Sequence, residues 1–241
     1  MKSKFIIAAA MALGICAAAN AQTNFQTYYD FGRGYATTTI EGFYGDSWGD
    51  TFFFFDHYYG TKDDSKANRA GACNGSYFEI ERGINFWQNS ALKDLSAMVE
   101  YDGSTWGAGI FCFGAKYFLH SADFKNTFTV ALLYDKHIGV GEADTPIKGT
   151  FVWGLQDLFG VTGLRFSGFA DVWGNNQVCA NGNDIKATKC SFLTEPQLWY
   201  NIGQHFNLPN LNIGGEVELS CNFAGHLGFM CNPCIGAKYV F

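Results

Sequence analysis

The sequence has few charged residues and, beyond its N-terminal stretch, no long apolar run. Asp, Glu, Lys and Arg make up 16% of the 241 residues, whereas soluble domains use about a quarter. No later segment approaches the run of about 18 apolar residues that a membrane-spanning helix needs. Neither a Gly-x-x-x-x-Gly-Lys motif nor the strand–helix context of a dinucleotide site is present. These absences exclude a helical membrane protein and predict a protein without a cofactor.

Aromatic residues and glycine are abundant instead. Phe, Trp and Tyr make up 17% of the chain, and Gly occurs 29 times. The apolar residues occur in short segments in which they alternate with polar residues, and the mean hydropathy is close to zero. This distribution is typical of a transmembrane β-barrel, in which lipid-facing and lumen-facing residues alternate.

The N-terminus has the pattern of a secretory signal peptide. Lys2 and Lys4 precede an apolar stretch over residues 5–18, and Ala19-Asn20-Ala21 supplies the small-x-small cleavage site. We therefore expect residues 1–21 to be a cleaved signal peptide and residues 22–241 to form the mature domain.

Period-2 alternation runs through the mature chain. In residues 211–223 the apolar side chains Leu211, Ile213, Val217 and Leu219 alternate with polar ones, and residues 77–87 repeat the pattern. No helix could separate these residues onto two faces, because its period is 3.6. The pattern therefore predicts β-strands.

Counting these segments predicts an all-β protein: an antiparallel up-and-down transmembrane barrel of about twelve strands. An even number fits a single-chain bacterial barrel, and the two longest connections, residues 60–75 and 174–191, both follow odd-numbered strands. The predicted strands cover residues 24–31, 35–43, 51–59, 76–88, 94–102, 105–118, 126–137, 147–156, 162–173, 192–203, 210–223 and 230–241.

The last strand alternates up to a terminal aromatic residue, with Tyr239 and Phe241 on one face. This ending looks like the C-terminal strand by which outer-membrane barrels are recognised by the assembly machinery. We expect the protein in the bacterial outer membrane, with outer-membrane lipids and that machinery as partners.

Seven cysteines remain after removal of the signal peptide, so they cannot all pair within one chain. Cys179 and Cys190 flank a polar segment and are the candidate disulfide. Cys112 and Cys221 lie within strand patterns, where a cysteine serves as a small apolar residue. The C-x-x-C of Cys231 and Cys234 lacks a second ligand pair, so no metal site is predicted.

Function must then depend on the side chains that face the lumen. Alternation places many carboxylates there, and an acidic, water-filled lumen favours cations and neutral polar solutes over anions. The segment 51–59 is aromatic on both faces, so one pair of rings, Phe52 and Phe54 by our assignment, faces inward. Such rings either stack on a flat solute or only fill a narrow barrel.

Two segments resemble the Tsx-like nucleoside-specific channels, or an uncharacterised barrel family related to them. They are Trp48-Gly49-Asp50-Thr51-Phe52-Phe53-Phe54-Phe55-Asp56 and Gly75-Ser76-Tyr77-Phe78-Glu79-Ile80-Glu81-Arg82. The resemblance implies a monomeric twelve-stranded barrel with a narrow, aromatic-lined channel.

The leading hypothesis is a non-enzymatic channel for passive diffusion of small hydrophilic solutes, nucleosides above all, with no nucleic acid polymer as partner. The alternatives are a non-conducting structural or surface-recognition barrel and, less favoured, a lipid-modifying enzyme. No catalytic residue is assigned, because none of the five histidines lies at a spacing from a serine that indicates a catalytic pair. The candidate solute-binding residues are Phe52, Phe54, Asp56, Glu79, Glu81, Glu100, Glu216 and Glu218.

Overall fold

The computed structural model describes residues 21–60, 74–105, 107, 109–139 and 141–241. The predicted signal peptide, except its last residue, and most of the predicted 60–75 loop lie outside these residues. Among the described residues, no helix is both long and apolar enough to cross a membrane.

The described residues form one antiparallel sheet. Two short 3-10 turns, Leu158–Gly160 and Ile202–His205, lie in its connections. The strands are β1 (Ala21–Asp30), β2 (Tyr35–Asp46), β3 (Gly49–Tyr59), β4 (Asn74–Ile84), β5 (Leu95–Ser104), β6 (Gly109–His120), β7 (Asn126–Ile138), β8 (Ile147–Gln156), β9 (Leu164–Asn181), β10 (Asp184–Thr194), β11 (Gln197–Tyr200), β12 (Leu211–Cys221) and β13 (Phe229–Val240).

The sheet closes into a barrel. From β1 to β10 each strand pairs with the next one in the sequence, β11 pairs with β12 and β12 with β13, and β1 pairs with β13, from Asn24 opposite Val240 to Asp30 opposite Cys234. Strands β10 and β11 both lie between β9 and β12, so together they occupy one strand position of the barrel. They are separated at Pro196, which has no N–H to donate to the ladder. The barrel therefore has twelve strand positions, and the predicted fold class is confirmed.

One predicted loop is wrong. Residues 174–191 form no loop, because β9 continues to Asn181 and β10 begins at Asp184, with only two residues between them. Gly182 has a φ of 61°, which suits the tight turn of such a hairpin. The polar residues that suggested a loop are the outer ends of two long strands.

Side chains alternate between the lumen and the outer surface. In β7, Leu133 and Asp135 face inward and are 2% exposed each, whereas Leu132 and Tyr134 face outward and are 66% and 51% exposed. Because an apolar outer surface with a polar interior is stable only in lipid, this closed barrel is an outer-membrane protein, as the sequence predicts.

The lumen is filled unevenly. On the side of β5, β6 and β7, the inward residues Met98, Cys112, Ala131 and Leu133 pack into a small apolar cluster joined by Ile110. The open space therefore lies along the opposite walls, where polar and aromatic side chains face inward.

Candidate functional site

Two cavities lie end to end within the barrel. The larger has a volume of about 460 Å³ and the smaller about 200 Å³. The larger cavity lies towards the barrel end that carries Gln22 and Val240, and the smaller towards the β1–β2 turn that carries Arg33. Both are bordered by a common belt of side chains: Phe54, Asp56, Glu79, Lys148, Phe169, Asp171 and Glu195.

All eight candidate solute-binding residues line these cavities. Glu218 lines the smaller one, and the remaining seven line the larger. The alternation in β3, β4, β5 and β12 thus assigns these faces correctly.

The rings and carboxylates of β3 and β4 form matched pairs on the lumen wall. Phe52 lies directly opposite Glu81, and Phe54 lies opposite Glu79. The ring centroids of Phe52 and Phe54 are 6.1 Å apart, and that of Phe54 is 5.9 Å from the ring of Tyr77. This wall therefore offers flat apolar faces beside hydrogen-bond acceptors.

A second aromatic group faces the larger cavity from β1 and β11. Trp199 is 1% exposed, its ring centroid is 5.7 Å from that of Tyr28, and Lys238 Nζ lies 4.4 Å above the Trp199 ring. Gln197 accepts a hydrogen bond from the Trp199 indole and donates one to Glu216, each at 2.9 Å. These bonds hold Glu216 and Trp199 in fixed positions.

Lys148 is the basic residue of the belt. Its Nζ lies 2.5 Å from Glu100 Oε1, 3.3 Å from Asp171 Oδ2 and 3.8 Å from Asp102 Oδ2. From the sequence, Lys148 was not identified as a lumen-facing residue. The signal was present, since Lys148 and Thr150 alternate with Ile147, Gly149 and Phe151.

The smaller cavity is closed by an ion pair and a loop. Arg33, in the β1–β2 turn, donates from Nη2 to both carboxylate oxygens of Glu218 at 2.7 and 2.6 Å, and from Nη1 to Asp30 at 2.9 Å. Asn232 also donates to Glu218 at 3.0 Å. The Glu218 carboxylate is therefore occupied by protein groups.

The connection between β12 and β13 contributes the rest of the cover. Gln177 donates to the carbonyl of Asn222 at 2.8 Å, and the ring of Phe223 packs edge-on against Trp173 at 5.9 Å. Phe223 and Ala224 both line the smaller cavity. This region is thus more apolar and more tightly bonded than the larger cavity.

The predicted disulfide between Cys179 and Cys190 does not form, and both thiols are free. Cys179 is buried on the inner face, whereas Cys190 is exposed. The ladder has a bulge at which Asn175 and Asn176 of β9 lie opposite the single residue Lys189 of β10, and beyond it Cys190 does not share the inner face of Thr188. Cys190 lies opposite Gly174, four residues along β10 from Lys186, the partner of Cys179.

The structure brings one histidine and one serine together, which their spacing in the sequence did not suggest. His57 Nδ1 lies 2.8 Å from Ser76 Oγ, on facing positions of β3 and β4. The His57 ring packs edge-on against Tyr59, and within the described part of the chain no carboxylate is hydrogen-bonded to it. A hydrolytic triad needs such an orienting group.

Solved structures with similarity to this chain are outer-membrane barrels. The BenF-like porin from Pseudomonas fluorescens Pf-5 has 9% identity and a TM-score of 0.41, with 92% of this chain and 98% of that chain covered. The outer membrane protein Omp33 of Acinetobacter baumannii has 12% identity and a TM-score of 0.38, with the same coverage. OccK5 (OpdH) of Pseudomonas aeruginosa has 8% identity and a TM-score of 0.39, over 93% and 98%.

No curated protein matches the sequence. A family match covers residues 21–241, which is the entire described barrel. The chain therefore belongs to the family described as Domain of unknown function (DUF5020).

Proposed function

We propose that this barrel is a channel through which small polar solutes diffuse passively, and that nucleosides are the solutes it fits best. The proposal rests on one observation. On the wall of the larger cavity, Phe52 lies opposite Glu81, and Phe54 lies opposite Glu79. A flat base could stack on the rings while the carboxylates accept hydrogen bonds from its amino group or from sugar hydroxyls.

The dimensions of the larger cavity support this size of solute. Its volume of about 460 Å³ lies within the range of ligand pockets, which hold one small molecule rather than a polymer. Weak binding suits a channel, since a solute must leave as readily as it enters.

The charge of the lining favours a nucleoside over a nucleotide. Eight carboxylates and three basic side chains line the larger cavity. This excess of negative charge would repel a phosphate group, whereas it would not repel an uncharged nucleoside. The proposal therefore includes discrimination against anions.

The test is block of the pore current in planar bilayers by nucleosides at millimolar concentration. The variant Phe54→Ala combined with Glu81→Ala should weaken the block by about 1–3 kcal/mol for the lost stacking partner alone. Phe55→Ala is the matched control, because Phe55 neighbours Phe54 but is 43% exposed on the outer face. Heat-dependent gel mobility should verify that each variant is a folded barrel.

Two results would count against the nucleoside proposal. One is a wild-type current that millimolar nucleoside never blocks, and the other is an equal effect of Phe55→Ala and of the double variant at Phe54 and Glu81. Block by the corresponding nucleoside monophosphate at the same concentration would contradict the predicted discrimination against anions.

A non-conducting barrel is the second candidate function. The observation in its favour is the ion pair of Arg33 with Glu218, which together with Phe223 closes the smaller cavity. Such a barrel would serve as an anchor or a surface-recognition module. Wild-type protein that inserts into bilayers without single-channel steps would favour this alternative over a channel.

A further inference from the structure

A group of metal-ligand side chains lies in the lumen wall outside the aromatic site. Glu100 and Asp102 share the inner face of β5, and Cys112 of β6 lies directly opposite Glu100. One ligand atom from each of the three lies within 4.8 Å of the other two. All three residues are buried, with exposures of 3%, 4% and 0%.

Unsatisfied carboxylate oxygens border this group. Asp102 Oδ1 is buried and has no hydrogen-bond partner, and the same holds for Oδ1 of Asp135, which lies opposite Cys112 on β7. The side chain of Asp135 is 1% exposed. Because a buried carboxylate oxygen without a donor is costly, these atoms indicate that a cation is needed beyond the ones the chain supplies.

Lys148 meets this need only in part. Its single ammonium group lies closest to Glu100 and is 3.8 Å from Asp102. His137 Nε2 is 3.4 Å from Asp135 Oδ2 and leaves Oδ1 of that carboxylate without a partner. Packing of Cys112 within the apolar cluster explains its burial, but it does not explain the unpartnered oxygens beside it.

We propose that Glu100, Asp102 and Cys112 bind a divalent transition-metal cation of the zinc type, with Asp135 as the fourth ligand. A set of one thiolate and several carboxylates suits Zn²⁺, whereas Ca²⁺ and Mg²⁺ prefer oxygen ligands alone. The Cys112 thiol gives up its proton to solvent when the metal–sulfur bond forms. The metal then neutralises Glu100 and Asp102, and Lys148 keeps its contact with Asp171.

The test uses the purified full barrel in detergent with a non-thiol reductant, titrated with Co²⁺ as an optical substitute for Zn²⁺. We expect a near-ultraviolet thiolate-to-cobalt band that saturates at one ion per chain and disappears on addition of Zn²⁺. Cys112→Ser should abolish this band, and Cys190→Ser, at an exposed thiol, should leave it unchanged. Excess Ca²⁺ should not displace the cobalt.

The neighbouring residues provide independent readouts. Asp102→Asn should weaken Zn²⁺ binding at least about tenfold through the loss of a charged ligand. This variant tests the site if Cys112→Ser does not fold. Lys148→Met should tighten binding about tenfold or more, since it removes a positive charge next to the ion. A wild-type barrel without a cobalt band, or a band that survives Cys112→Ser, would overturn the proposal. Weaker Zn²⁺ binding by the Lys148→Met variant than by the wild type would also overturn it. None of these readouts depends on nucleoside passage.

Discussion

The two cavities of the barrel use charged residues in opposite ways. In the larger cavity, Glu79 and Glu81 stand beside aromatic rings on an open wall. In the smaller one, Arg33 and Glu218 bond to each other, and their side chains are 7% and 9% exposed. Carboxylates that face open space can meet a solute, whereas the Glu218 carboxylate, bonded by Arg33 and Asn232, holds the structure together. The wall of the first cavity is thus suited to binding, and the Arg33 end of the second to closure.

The largest effect should follow from breaking the closure. Arg33→Ala leaves Glu218 and Asp30 buried without their cation, and breaking such a pair costs about 3–5 kcal/mol. We expect a corresponding loss of unfolding free energy in urea and a larger single-channel conductance. Arg82→Ala is the control, because its ion pair with Asp46 is exposed to solvent and contributes little to stability.

The double variant Arg33→Met with Glu218→Met separates charge from packing. Because two apolar side chains leave no buried charge unpaired, this barrel should recover much of the stability lost in Arg33→Ala. Equal destabilisation by Arg33→Ala and Arg82→Ala would show that the smaller cavity is not held by this pair.

A smaller effect should follow from changing the open carboxylates. Glu79→Gln with Glu81→Gln keeps the size of both side chains and removes two negative charges from the larger cavity. The reversal potential in a salt gradient should shift away from cation selectivity, because the lumen attracts cations less strongly. Asp184→Asn, at the exposed turn between β9 and β10, should leave the potential unchanged. Identical shifts in both variants would mean that the selective charges lie outside the cavity.

The wall that carries the paired rings and carboxylates could be predicted from the sequence, because it lies on strands with clean alternation. In β3 and β4, positions two apart share a face, so Phe52 and Phe54 had to lie together, as did Glu79 and Glu81. The same rule would have found Lys148.

Other features of the lumen could not be predicted from the alternation of side chains along a strand. Arg33 lies in a turn, where sequence spacing gives no direction, and it reaches inward to a strand 185 positions away. Trp199 follows Pro196, whose break in the strand hides the alternation around it. The disulfide prediction failed because one extra residue of β9, at Asn175 and Asn176 opposite Lys189, shifts the register, so that Cys190 does not share the inner face of Cys179. Local irregularities, together with polar strand ends such as those in residues 174–191, therefore limit what the sequence reveals.

The smallest effect is expected at the turns, outside both cavities. Asp157, in the β8–β9 connection, accepts a hydrogen bond from Lys125 Nζ at 2.7 Å and one from the backbone N–H of Gly163 at 2.9 Å. The bond from Lys125 is the main cause that lowers the pKa of Asp157 to about 2 from its ordinary value of 3.8. A lowered pKa in the folded state stabilises the protein above the ordinary value, and this contribution disappears as the pH falls towards 2.

Asp157→Asn should therefore lower the unfolding temperature slightly at neutral pH and make no difference near pH 2. The backbone φ of residue 157 is 55°, a conformation that Asn tolerates as well as Asp does, so the substitution isolates the charge. Lys125→Met is the partner control: once it is made, Asp157→Asn should have no further effect at neutral pH. A destabilisation that persists at pH 2, or that adds fully to that of Lys125→Met, would place the contribution of Asp157 in its backbone hydrogen bond instead. In either case the conductance should stay at the wild-type value, because neither cavity is lined by these two residues.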